Sequence, residues 1–217
     1  MNADVRQLDV VEPLSREALV ESVARDFGQI DVLVDNAGLG ALGPTEDIDL
    51  GFHRLMFETN YWGPYELMKP VLPSMRQRRS GRDVNVTSMG AVDTPALFGP
   101  YCATKHALDA ISSALDIELK DFGVRVVSVL PGGWGTPLAE SMHVTDRGQS
   151  AYHEHIAWSR EGFRRATASR QDVSPVVRAV IESATADEPP VRRHVETPPS
   201  TAPISAALES AHLARRG

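Results

Sequence analysis

The chain alternates short apolar runs with longer stretches of helical periodicity. Apolar runs predict strands at Ile30 to Val34 and Val124 to Leu130, an alternating β-branched segment predicts one at Asp83 to Thr87, and Val5 to Val10 is a further strand candidate. Between them, apolar positions recur at helical spacing and predict helices at about 15–27, 48–77, 100–122 and 173–183. Buried strands separated by helices are typical of a parallel sheet covered on both faces. The pattern therefore indicates a doubly wound α/β fold.

Residues with special backbone properties mark the ends of several elements. Pro13 closes the first predicted strand, Ser15 is a candidate cap for the first helix, and Gly28 is its expected end. The long second helix is expected to break or kink near Gly63 and Pro70, because proline removes a helical hydrogen bond.

The pattern weakens after Pro137. Residues 138–170 are predicted to form a mobile lid with helical pieces. Five of the 15 prolines lie between 187 and 203, so the tail from 187 to 217 is predicted to be mostly irregular, with a short helix near 204–215. No internal repeat divides the chain, and residues 1–217 are predicted to form a single domain.

Composition narrows the class of protein. The 217 residues carry a formal net charge of −7, which disfavours electrostatic binding to nucleic acid or to an anionic membrane. No apolar run approaches the roughly 20 residues of a membrane span, and the first residues do not look like a secretory signal. The single cysteine, Cys102, cannot form an internal disulfide, so a cytoplasmic location is expected.

The strongest chemical signal is the segment from Tyr101 to Lys105, whose polar ends lie one helical turn apart. Reducing a carbonyl requires a proton donor near its oxygen, and a tyrosine with a pKa of about 10 is a poor donor at neutral pH. Lowering that pKa by about three units requires about 4 kcal/mol. An ammonium group about 4 Å away supplies energy of that order at an effective dielectric constant of about 20.

Other motifs follow predicted strands in a fixed order. Ser88 lies 13 residues before Tyr101, Asp35-Asn36-Ala37-Gly38 follows the Ile30 strand, and Pro131-Gly132 follows the Val124 strand. With Asn60-Tyr-Trp-Gly upstream of Ser88, the chain from about Val5 to Val180 resembles the short-chain dehydrogenase/reductase family. The resemblance implies a Rossmann-like sheet.

The resemblance also implies roles for individual residues. The implied catalytic residues are Asn60, Ser88, Tyr101 and Lys105. Tyr101 would be the general acid/base, and Lys105 would lower its pKa and hold the nicotinamide ribose. Ser88 would bind the substrate oxygen, and Asn60 would hold a water that relays protons. The implied cofactor is NAD or NADP, with Asp9 and Val10 at the adenine. Asn36, Ala37, Gly38, Tyr101 and Lys105 would lie near the ribose, and Pro131, Gly132 and Thr136 near the nicotinamide.

One departure from the family is large. Members begin with a strand, a Thr-Gly-x-x-x-Gly-x-Gly turn that cradles the pyrophosphate, a helix and a second strand. These elements do not occur in the 217 residues. We therefore expect an N-terminally shortened sheet with an open edge on the Ile30 strand, and cofactor binding that is weakened or lost. Asp35 is a smaller departure, since the family usually has asparagine there.

Several other features admit two interpretations. Met89, Phe98, Trp134 and Met142 are candidate substrate contacts, although each is also consistent with packing. Gly38-Leu-Gly40-Ala-Leu-Gly43 matches a dinucleotide pattern but already forms the loop after the Ile30 strand. His143, His153 and His155 do not converge as metal ligands, so no metal site is predicted.

Two functional hypotheses remain. The first is an NAD(P)-dependent oxidoreductase interconverting a secondary alcohol and a ketone on an apolar substrate. The second is a cofactor-independent isomerase or cyclase, or a non-catalytic binding protein, on the same scaffold. The expected partners are a small-molecule substrate and further copies of the chain in a homodimer or homotetramer.

Overall fold

The computed structural model describes residues 3–134, 136, 138, 141–145, 151–168 and 172–195. The helices are α1 (Pro13–Phe27), α2 (Leu50–Phe57), α3 (Gly63–Arg78), α4 (Gly99–Leu119), α5 (His153–Ala168) and α6 (Ser174–Thr185). The strands are β1 (Val32–Asp35), β2 (Ala41–Leu42), β3 (Gly81–Val86), β4 (Val124–Pro131), β5 (His143–Val144) and β6 (Arg192–Val195). A π-helical segment, Glu58–Trp62, joins α2 to α3, and short 3-10 turns occupy Met89–Ala91 and Lys120–Phe122.

A parallel four-stranded sheet, ordered β1-β3-β4-β6, forms the centre of the fold. The predicted parallel α/β class is therefore confirmed. Helices α3 and α4 cover one face of the sheet through Val71, Met75 and Val126, and α6 covers the other through Ala179 and Val129. All strands run in the same direction, so the loops at their carboxyl ends meet on one side, where ligands bind in open α/β sheets.

The outer edge of β1 has no strand partner within the described residues. Its side chains Val32 and Val34 are 39% and 42% exposed, which is high for a β-branched strand in a parallel sheet. The open edge expected on this strand is present in the described part of the chain.

The segment from Val5 to Val10, predicted as a strand, forms no strand. It packs instead against the start of α1, where the Asp9 N–H donates to Ser15 Oγ and the Arg16 guanidinium donates to the Val10 carbonyl. The sequence pattern allowed a strand, but no neighbouring strand satisfies the backbone there. Ser15 is consequently not the cap of α1, which begins at Pro13.

The tail prediction was also wrong in part. Arg192–Val195 forms β6, which pairs in parallel with β4 from Ser128 to Pro131. The hydrophobic pattern does not predict this strand, because it contains two arginines and follows two prolines. Its Val195 is buried beside Val129, and Arg192 pairs with Asp109 of α4 at 2.6 Å. The helix predicted near 204–215 lies outside the described residues.

The other elements follow the predicted pattern closely. Gly28 ends α1 as expected, with φ of +83°. The break expected near Gly63 is present as the π-helical segment, after which Pro64 occupies the first turn of α3, but the break expected near Pro70 is not: α3 continues through Pro70 to Arg78. Gly123, with φ of +73°, makes the turn into β4.

These two positive-φ glycines provide a matched test of the fold. A Cβ at Gly28 would contact nothing within 4 Å, whereas a Cβ at Gly123 would lie 2.2 Å from the Arg79 carbonyl oxygen. Gly28→Ala should lower the free energy of unfolding by about 1 kcal/mol, the cost of a left-handed alanine. Gly123→Ala should cost at least twice as much, as measured by urea denaturation. Equal losses would contradict the close approach of Arg79.

Candidate active site

Asn60, in the π-helical segment, connects the loop after β1 to helix α4. Its Oδ1 accepts the Leu39 N–H at 2.7 Å, and its Nδ2 donates to the Leu39 carbonyl at 2.8 Å. The same Nδ2 donates to Thr104 Oγ1 at 2.9 Å, and Thr104 donates to the Tyr101 carbonyl at 2.7 Å. Asn60 is fully buried, so its amide acts as a structural clamp inside the site.

Lys105 extends from α4 to the carboxyl end of β3. Its Nζ donates to the Val86 carbonyl at 2.9 Å, and the side chain is only 3% exposed. A Cβ built on Gly38 would lie 3.6 Å from that Nζ and 3.5 Å from Asn60 Oδ1. Gly38, Asn60 and Lys105 therefore surround one small space beyond the strand ends.

Ser88 and Tyr101 meet at the adjoining 3-10 turn. Ser88 caps this turn, with its Oγ accepting the Gly90 N–H at 3.0 Å. A Cβ at Gly90 would lie 3.4 Å from Ser88 Oγ and 3.5 Å from Tyr101 Cε1. The neighbouring Ser88 hydroxyl favours ionisation of the Tyr101 phenol and so lowers its pKa. The structure thus brings together the four predicted catalytic residues around the ends of β1 and β3.

The electrostatics differ from the sequence-based expectation. Burial raises the pKa of Tyr101 to about 12, and the neighbouring Ser88 only partly opposes this rise. The expected lowering of the Tyr101 pKa by Lys105 is absent, and the Lys105 ammonium donates to the Val86 carbonyl. Burial also lowers the pKa of Lys105 to about 8, and the Asp35 carboxylate opposes that change.

Apolar side chains enclose Tyr101. Phe98, Met56 and Cys102 pack in the same buried cluster, with Met142 and Phe163 against it. The two-residue parallel ladder between β2 and β5 brings the 141–145 segment over this cluster. Of the four candidate substrate contacts, Phe98 lies in this cluster and Met142 packs against it.

The other two candidate substrate contacts lie in different surroundings. Trp134 is 8% exposed and packs with Val84, Val129, Ala179 and Val195 on the α6 side of the sheet. Trp134 therefore packs in the core, which agrees with the interpretation of this residue as a packing residue and not a substrate contact. Met89 lies in the 3-10 turn after Ser88 and is half-buried.

The candidate cofactor residues are divided between the strand ends and the N-terminal segment. Asn36 and Ala37 are exposed beyond β1, while Pro131, Gly132 and Thr136 are half-buried at and beyond the end of β4. Asp9 and Val10 lie in the segment before α1, on which the predicted strand does not form. The Asp9 carboxylate there accepts the Val11 N–H at 3.0 Å.

Two buried polar residues of this region were not identified from the sequence. Thr104 links Asn60 to the Tyr101 backbone, and its polar side chain three residues after Tyr101 could have indicated this role. Asp83 is fully buried within β3, where a carboxylate interrupts an apolar run. In the described residues, no group of three or more histidine, cysteine or acidic side chains is placed to hold a metal ion.

With this geometry established, comparisons with known proteins identify the family. A family model described as short chain dehydrogenase matches residues 1–146. The chain is similar to retinol dehydrogenase 8 of Bos taurus, at 34% identity over 204 residues, or 89% of this chain and 64% of that protein. The chain belongs to the short-chain dehydrogenase family.

Solved structures agree with this assignment. A short-chain dehydrogenase from Streptomyces avermitilis superimposes with a TM-score of 0.77 at 28% identity, over 97% of this chain and 75% of that one. A variant of actinorhodin polyketide ketoreductase with NADPH gives a TM-score of 0.72 at 29% identity, over 88% and 75% of the two chains. The present chain spans less than two thirds of the length of retinol dehydrogenase 8, at 64%.

No helix within the described residues combines the length and the apolar composition needed to cross a bilayer.

The clamp formed by Asn60 leads to a stability prediction. Asn60→Ala leaves the Leu39 N–H and carbonyl without their buried partner, at a cost of about 1–3 kcal/mol for each unsatisfied group. We expect the free energy of unfolding to fall by about 2–4 kcal/mol in urea denaturation. Thr104→Val, which leaves both Leu39 hydrogen bonds intact, is the matched control and should cost less. A loss in Asn60→Ala no larger than that of Thr104→Val would show that the clamp is unimportant.

Proposed function

We propose that this chain carries the proton-transfer part of an NAD(P)-dependent oxidoreductase that interconverts a secondary alcohol and a ketone. The observation that carries the proposal is that Ser88 and Tyr101 both lie against Gly90, with Tyr101 inside an apolar cluster and one helical turn from Lys105. A hydroxyl pair in a dry, apolar surrounding suits proton transfer to a carbonyl oxygen.

The residues at the strand ends fit a nicotinamide cofactor in part. Gly38 leaves open the space beside Lys105 Nζ and Asn60 Oδ1, where a side chain would intrude. Lys105 and Asn36 would hold ribose hydroxyls, and Gly132 and Thr136 would face the nicotinamide. When bound, the cofactor would supply or accept the hydride.

We assign Tyr101 as the general acid in the direction of reduction on its position beside Ser88. Burial raises its pKa to about 12, so the phenol is protonated at neutral pH but is a weak donor until a cationic group next to the hydroxyl lowers that pKa. Ser88 would donate a hydrogen bond to the substrate carbonyl oxygen and hold it beside Tyr101. Asn60 would keep α4 in place, so that both hydroxyls stay aligned.

The surroundings of Tyr101 support an apolar substrate. Met142 and Phe163 pack over the cluster that holds Phe98, and a substrate would have to replace part of this contact. Similarity to retinol dehydrogenase 8 supports the same substrate class. Assembly into a homodimer or homotetramer and a cytoplasmic location remain predictions.

Cofactor affinity is expected to be low in the 217-residue chain. The residues that would bind the ribose and nicotinamide are present in this sequence. The glycine-rich turn that would donate backbone N–H groups to the pyrophosphate does not occur in it. Losing two charged hydrogen bonds of about 1.5–3 kcal/mol each weakens binding by about 3–6 kcal/mol.

Turnover tests the proposed role of Tyr101. At millimolar NADPH or NADH, we expect the chain to reduce at least one apolar ketone, and Tyr101→Phe to lower kcat by about 10²- to 10⁴-fold. Tyr65→Phe, on α3, is the matched control and should leave kcat unchanged. Turnover in Tyr101→Phe equal to that of the parent would contradict the assignment. Turnover of no ketone by the parent would favour the cofactor-independent hypothesis.

A further inference from the structure

Beneath α4, the sheet presents polar side chains at positions where buried sheets are usually apolar. Asp35, Asn85 and Ser128 are in register across β1, β3 and β4, and Asp83 lies two residues before Asn85 on the same face. Asp83, Asn85 and Ser128 are fully buried, and Asp35 is 7% exposed. Burying a carboxylate is costly unless its charge is compensated, so two such groups require an explanation.

Lys105 approaches these side chains from above. Its ammonium donates to the carbonyl of Val86, the residue that follows Asn85 on β3. Asp35 is paired with Asn85 on the neighbouring strand, and paired strands lie about 4.8 Å apart. The Asp35 carboxyl and the Lys105 ammonium therefore lie near each other at the strand ends, and their charges interact.

The other charged groups around Lys105 are engaged elsewhere or neutral. On its own helix, Asp109 pairs with Arg192 at 2.6 Å, Asp116 pairs with Arg125 at 2.8 Å, and the Tyr101 hydroxyl is neutral at physiological pH. The π-helical segment faces the site with the neutral amide of Asn60. Within the described part of the chain, this leaves Asp35 on β1 and Asp83 on β3 as the carboxyl groups available to Lys105.

We propose that Asp35 is a positioning residue of this site: its carboxylate is the counter-ion that keeps the buried Lys105 side chain charged, while Asp83 beside it stays protonated. The inference rests on the proposed function for its consequence, because only a charged Lys105 can hold ribose hydroxyls as an ammonium donor.

The division of charge between the two carboxyls follows from their neighbours. Two buried carboxyl groups near each other do not both ionise readily. Burial raises the pKa of both, and the Asp83 charge raises that of Asp35 further, whereas the Lys105 ammonium lowers the pKa of Asp35. No cation acts on Asp83 in the same way, and Asn85 is the neighbour that favours its ionisation. The shared proton is therefore assigned to Asp83.

The chain offers a direct measurement, because it contains only three lysines: Lys69, Lys105 and Lys120. Lys69 and Lys120 are exposed and serve as internal references. In the 217-residue protein labelled with ¹³C at lysine Cε, the Lys105 signal should titrate below the ordinary lysine value of about 10.4, since burial lowers its pKa to about 8.

Two isosteric variants separate the carboxyl groups. Asp35→Asn should lower the Lys105 midpoint by about one pH unit or more, because an opposite charge within about 4–6 Å shifts a pKa by about 1–3 units. Asp83→Asn is the matched control, equally buried and on the same face. It should leave the Lys105 midpoint unchanged or raise it, because Asp35 then ionises more readily.

Two results of this titration would contradict the proposal. A Lys105 midpoint that does not fall in Asp35→Asn overturns the proposal, as does an equal fall in Asp83→Asn. If Asp35→Asn does not fold, the Asp83→Asn variant still decides, since a fall of the midpoint there contradicts the assignment of the proton. The titration requires neither cofactor nor turnover, so a failure of the proposed function would be distinguishable from a failure of this inference.

Discussion

The paired hydrogen bonds between Asn60 and the Leu39 backbone fix the geometry on which the candidate site depends. They attach the loop after β1 to the π-helical segment, and Thr104 extends the connection to the α4 backbone at Tyr101. The clamp is buried, so breaking it would leave amide groups without water or protein partners. The local widening of the helix at Glu58–Trp62 places Asn60 at this point, which gives a physical reason for an irregular turn in a helical region.

Burial then determines the chemistry of the residues that the clamp positions. The same apolar surroundings raise the pKa of Tyr101 and lower that of Lys105, because each change favours the neutral form of a desolvated group. Close contact between a Tyr101 phenolate and the Lys105 ammonium would instead have lowered the pKa of Tyr101 and raised that of Lys105. In this chain the ammonium binds a backbone carbonyl, and a carboxyl group on β1 opposes its loss of charge. The charge balance of the site thus depends on the sheet beneath α4 as much as on α4 itself.

Much of this arrangement could be predicted from the sequence, for identifiable reasons. The β4 strand is mostly apolar and lies between Gly123 and Gly132, β3 shows the alternating pattern of a strand, and the spacing of Tyr101 and Lys105 corresponds to one turn of helix. Predictions failed where long-range pairing decides the outcome. The Val5 to Val10 run lacks a strand partner and forms none, whereas Arg192–Val195 pairs with β4 despite its arginines. The shift of the Tyr101 pKa was predicted in the wrong direction, because the spacing of Tyr101 and Lys105 does not reveal how deeply the phenol is buried.

The central claim is that this chain holds the proton-transfer and nicotinamide side of a dehydrogenase site without the pyrophosphate cradle. Titration calorimetry of the 217-residue protein with NAD(H) and with NADP(H) tests it most directly. Weakening by about 3–6 kcal/mol turns a micromolar site into a roughly millimolar one or worse. We therefore expect no saturation at micromolar concentrations of either nucleotide. A micromolar Kd for either one would show that the phosphates bind another cradle within these residues, and would contradict the account.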